Sequence, residues 1–180
     1  MNSPLQQAIA CLHIRDVMLR NSSAYLAEGF EPTYGDGLED IEIQFKHLVI
    51  QNNVMEATNG ESIERIFRVF ISLGARWVES SPTPSEYLSP ASKNPIIKAQ
   101  VEATYVADYD MSEHPGQEAL DAFSLKNASY HVWPYWREYL ASQCQRMGLR
   151  KIVMPAVQFA ANEHHSDADK EQPIAAEEND

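Results

Sequence analysis

The side chains of this sequence that could carry out chemistry are six histidines, His13, His47, His114, His131, His164 and His165, and two cysteines, Cys11 and Cys144. Catalysis needs a base or nucleophile held by a partner. None of the histidines sits in a nucleophile, Walker or zinc motif. His164 and His165 with Asp167 and Asp169 offer ligands for a divalent ion, but a solvated tail of this composition gives them no fixed geometry, so no metal and no cofactor is expected. The cysteines stand far apart without paired spacing, which argues against a disulfide framework or a cysteine zinc site. Both read as small apolar side chains in a reducing compartment. No catalytic residue is assigned, and the chemistry that remains is binding.

Charge bounds the partner. The chain has 26 acidic against 14 basic residues, a formal net charge of −12. Such a field repels nucleic acid phosphates and anionic membranes, and it favours basic or apolar partners while keeping the protein soluble. A hydrophobic share of 44% and a charged share of 22% are ordinary for a soluble globular protein. No apolar run approaches the roughly 18 residues of a membrane span, and the N-terminus lacks the pattern of a secretory signal. A cytoplasmic protein is expected.

The elements that position these residues follow from periodicity. Four segments read as strands. The first, Ile9 to about Leu19, is apolar but mixed in period. In the second, Ile41, Ile43 and Phe45 alternate with Glu42, Gln44 and Lys46. The third puts Phe67, Val69, Ile71, Leu73, Ala75 and Trp77 on one face. The fourth sets Ile97, Ala99, Val101, Ala103, Tyr105 and Tyr109 against Lys98, Gln100, Glu102, Thr104 and Asp108. One apolar and one wet face is the habit of antiparallel sheets. Asn59-Gly60 signals a hairpin, and the four prolines between Ser80 and Pro95 mark a long exposed loop. A second long connection, between the first two strands, carries Tyr25, Phe30 and Tyr34. Helical signal begins near Gln117, is expected to break, kink or restart at Pro134, and stops at Gly148. The reading is an α+β fold: a four-stranded antiparallel sheet with a long C-terminal helix packed on one face. Residues 1–160 form this domain. Residues 161–180 hold seven acidic residues and one base with few large apolar side chains, and read as a disordered acidic tail.

Residues Tyr130 to Glu138 contain Trp133, Pro134, Tyr135, Trp136, Arg137 and Glu138, which resemble the signature of the SecB chaperone family: a hydrophobic residue, Pro, Tyr, a variable residue and Arg-Glu. Downstream, Met147-Gly148-Leu149 and Met154-Pro155-Ala156-Val157-Gln158-Phe159 are similar to the family's second block. The resemblance covers about residues 128–159. It implies a protein that binds unfolded polypeptides in a groove flanked by the long loop and the helix. Carried onto this chain, the client contacts are Tyr25, Phe30 and Tyr34 from the loop, with Trp133, Trp136 and Tyr139 from the helix. Core packing and client contact both stay open for Trp136 and Tyr139. Pro134, Tyr135, Arg137 and Glu138 are implied as structural, the charged pair through charge-assisted hydrogen bonds that fix the helix or an oligomer contact. The resemblance further implies a homotetramer, built as a dimer of dimers, and delivery to the motor SecA. Of the acidic sheet positions implied in that contact, Asp16 is the match. Arg20, Lys98 and Gln100 depart from it, and Arg150-Lys151 replaces the usual Pro-Pro.

The function implied is a passive, ATP-independent holdase, because the sequence holds no nucleotide-binding motif and release must come from handover or mass action. SecB-like chaperones dedicated to the antitoxin of a toxin–antitoxin pair are a narrower alternative, which neighbouring genes would reveal. A small hot-dog-like thioesterase, recognised by activity on acyl thioesters, is a second. A structural adaptor with one folded partner is a third.

Overall fold

The computed structural model describes residues 3–34, 40–60, 62–79 and 96–154. A helix α1 (Pro4–Cys11) leads into strands β1 (Leu12–Leu26), β2 (Ile41–Asn59), β3 (Ser62–Glu79) and β4 (Ile97–Met111). Helix α2 (Gln117–Phe123) then joins α3 (Ser129–Arg146) through a π turn at Ser124–Ala128. The strands form one antiparallel sheet in the order β1-β4-β3-β2.

Alternation places the core. Phe67, Val69, Ile71, Leu73, Ala75 and Trp77 of β3 are all buried, as are Ala99, Val101, Ala103, Tyr105 and Tyr109 of β4. The register sets Phe67 beside Tyr109 and Ile71 beside Tyr105, so both rows share one face. The buried residues of α2 and α3, among them Phe123, Val132, Trp136, Leu140 and Cys144, pack into the same cluster. Phe123 closes on Tyr109 edge to face, with ring centroids 4.9 Å apart, an arrangement worth about 0.5–1.5 kcal/mol beyond its area. The other face carries ion pairs. Arg68 grips Asp108 through two bonds of 2.7 and 2.6 Å.

Three expectations are corrected. The first strand does not begin at Ile9. Ser3 and Gln6 form a reciprocal capping box with Pro4 in the first turn, a start signal strong enough to make Pro4–Cys11 helical. The same strand runs on to Leu26, so Tyr25 lies in β1 and not in a loop. Pro134 neither breaks nor restarts the helix. α3 continues through it, and the irregularity falls upstream in the π turn. Proline removes one N–H, and this loss is tolerated where the surrounding turns are held by packing on the sheet.

Other expectations hold. Asn59 pairs with Ser62 across a tight turn in which Gly60 takes φ 65°. Gly148, at φ 68°, ends α3. The Leu149 N–H donates to the Cys144 carbonyl at 2.9 Å and the Gly148 N–H to the Gln145 carbonyl at 3.4 Å, the paired bonds of a Schellman stop. The proline-rich loop, most of the second motif block, the boundary at residue 160 and the acidic tail lie outside the described residues.

Candidate functional site

β1 is an edge strand, and α3, which packs on β4 and on both of that strand's neighbours, covers it only in part. Its core-facing side is therefore left partly uncovered. Ile14 is 48% exposed. Two irregularities set this side. The ladder slips at Arg15 and again at Arg20, each an extra residue on β1, so Ile14 and Val17 both face the helix despite their uneven spacing.

On the helix side, Trp133 and Pro134 each lie three or four residues from both Tyr130 and Arg137, so the four share a face of α3. Between this stripe and Ile14 and Val17 opens a groove of about 430 Å³. His131 lines it as well, with its Nδ1 3.0 Å from the Tyr109 hydroxyl. Burial lowers the His131 pKa from the ordinary histidine range and raises that of Tyr109, so both are neutral near pH 7. The groove is a largely apolar trough whose lining includes one cationic residue, Arg137.

The expected contact residues do not converge on it. Trp133 lines the groove. Trp136 is 1% exposed and belongs to the core, so it has no surface to offer a client. Tyr139 is half-buried and packs on the core cluster. Tyr34 is 90% exposed, while Phe30 packs partly against the core. Both belong to the connection that crosses the end of α3, where Thr33 and Pro32 approach Gly148. That point is fifteen residues past Trp133, roughly 22 Å at 1.5 Å per residue. Tyr25 is on the opposite face of the sheet, beside Gln100, to which its hydroxyl donates at 3.4 Å. Asp16 shares that face, opposite Asp108, and accepts from the backbone N–H of Val17 at 2.8 Å.

Of the motif residues, Pro134 and Tyr135 line the groove, and the Tyr135 carbonyl accepts from the Tyr105 hydroxyl at 3.2 Å. Arg137 and Glu138 are exposed. Neither makes an ion pair among the described residues, so no such pair fixes the helix within one chain, and the oligomer contact stays an expectation. Ile14, Val17 and Tyr130 were missed by sequence reasoning. The apolar character of the first strand was the available signal, and its bulges hid the common face.

Chemistry is poorly served elsewhere. His47 Nε2 stands 2.6 Å from Ser129 Oγ, a pairing that would suit nucleophilic attack, but Ser129 is 1% exposed. A hydroxyl sealed from substrate ties β2 to the helix instead. Burial pushes the Cys144 thiol pKa up, away from reactivity. Among the described residues no group of three or more His, Cys, Asp or Glu could hold a metal ion, and no helix is long and apolar enough to cross a membrane.

This strand order, with a single helical layer on one face, is the SecB-like chaperone fold, the class to which the Trp-Pro-Tyr-Trp-Arg-Glu motif pointed. The solved structure that carries the comparison is a Mycobacterium tuberculosis SecB-like chaperone in complex with a ChAD peptide from an antitoxin. It is 18% identical, covers 87% of this chain and 97% of its own, and superposes with a TM-score of 0.56. No family model matches the sequence, and no curated protein does.

Proposed function

We propose that this chain is an ATP-independent holdase that binds non-native polypeptide segments. The observation that carries the reading is the apolar trough between β1 and α3, open to solvent on a SecB-like scaffold. Apolar surface of this kind, presented by rigid elements, suits extended segments of many sequences. The solved neighbour with the same fold holds a peptide, which supports polypeptide as the ligand class. The thioesterase alternative has no positioned, accessible nucleophile among the described residues to support it.

The working form is a homotetramer in the cytoplasm. Support comes from two open sheet edges, β1 and β2, with large apolar side chains exposed along both, among them Leu19, Phe45 and Leu48.

The test is aggregation of a slow-folding, unrelated polypeptide at rising concentrations of this protein, without ATP. Suppression saturating at a fixed ratio is expected, weakened by Trp133→Ala and by Tyr34→Ala. Phe30→Ala is a poorer probe, because that ring packs partly on the core. No suppression at any ratio removes the general holdase and leaves a chaperone dedicated to one client, such as an antitoxin.

A further inference from the structure

The groove between β1 and α3 departs from the electrostatics of the rest of the chain. The chain has 26 acidic and 14 basic residues, and several of its cations on the sheet are held by carboxylates. Arg15, Arg65 and Arg68 are each paired, Arg15 with two partners. Among the described residues the groove has no carboxylate in its lining, which includes Arg137. Arg137 is exposed and makes no ion pair among the described residues. The apolar wall beside it is Ile14, Val17, Trp133 and Pro134.

Resting on the holdase reading, we propose that this groove selects polypeptide segments in which a large apolar side chain and a carboxylate stand two residues apart. The spacing follows from geometry. Trp133 and Arg137 are one helical turn apart, about 6 Å along the axis. In an extended segment, residues i and i+2 point to the same side and stand about 6.6 Å apart. An apolar side chain seated against Trp133 and Pro134 therefore brings a carboxylate two residues away to Arg137. Guanidinium and carboxylate match in a fork of two charge-assisted bonds, and the apolar wall lowers the local dielectric in which they form. The preference is opposite to the one that the net charge alone suggests. Long-range attraction favours basic chains, whereas this groove holds an acidic one.

Three fluorescein-labelled peptides of glycine and serine, each with one Phe-Ser-X core in which X is Glu, Gln or Lys, distinguish the possibilities. Their binding to the full chain is read by fluorescence anisotropy at 0.15 M salt. The Glu peptide is expected to bind roughly tenfold tighter than the Gln peptide, the size of one charge-assisted bond, with the Lys peptide weakest. Arg137→Gln is expected to bring the Glu-to-Gln ratio close to one, and Arg137→Lys to restore part of it. Equal binding of the Glu and Gln peptides, or a Lys peptide that binds best, overturns the proposal. So does an Arg137→Gln variant that keeps the full ratio. If Arg137→Gln lowers the mass in solution, the groove is covered by a second copy, and the proposal also falls. Aggregation suppression measured on the same preparations separates the readings. Suppression without a Glu preference removes only this inference, and loss of both removes the holdase as well.

Discussion

Gly148 shows how one residue can serve two purposes. Its φ of 68° completes the stop of α3, and a Cβ built there would stand 2.7 Å from Thr33 Oγ1. Gly148→Ala is therefore expected to cost about 1–2 kcal/mol from the left-handed backbone alone, plus the displacement of Thr33. Urea unfolding checks this, and Thr33→Ala in the same chain should recover only the second part. The two tryptophans of the motif make a sharper contrast. Trp136 is in the core, and Trp136→Ala is expected to lose about 3–5 kcal/mol. Trp133→Ala should lose distinctly less stability and more peptide affinity. Equal losses of stability would show that Trp133 is a packing residue. On the far side of the sheet, the Asp108 side chain is 8% exposed and held by Arg68. Arg68→Met leaves that carboxylate buried without its partner, so a loss of about 3 kcal/mol is expected in the same assay.

At the scale of elements, the first turn of α3 is held to the sheet by two histidine contacts, His47 to Ser129 and His131 to Tyr109. Burial lowers both histidine pKa values, so the unfolded chain takes up these protons first. Stability is expected to be full above about pH 6.5 and to fall as the pH drops through and below that value. Urea midpoints between pH 7.5 and 5.5 test the slope, and the double variant His47→Gln, His131→Gln should flatten it. The inner strands were legible because β3 and β4 alternate without interruption along their buried rows. β1 was not legible in the same way, because Arg15 and Arg20 each shift the face of everything after them, and period counting cannot see an inserted residue. α1 was lost to the apolar run that follows it, although Ser3, Pro4 and Gln6 spell a helix start. At the site, the Trp133 motif was visible as letters. That its exposed stripe meets β1 rather than the aromatic connection depends on where the helix lies, which no local pattern records.

For the whole molecule, light scattering over falling concentrations is expected to give the mass of four chains, passing to smaller species on dilution. A single-chain mass throughout would remove the assembled form. The two strands that bound the sheet are long, fifteen residues in β1 and nineteen in β2, and strands of that length with apolar side chains are templates for fibre growth. Both carry an interrupted ladder: β1 slips at Arg15 and Arg20, and β2 at Ile50. A strand arriving at β1 finds its longest unbroken run from Asn21 to Leu26, beyond the second slip, and one arriving at β2 must change register halfway. Another chain can therefore pair with a part of either border, as assembly of copies requires, but cannot zip along its whole length. If the chain holds aggregation-prone polypeptides as proposed, these breaks keep it from seeding the polymer it would otherwise prevent.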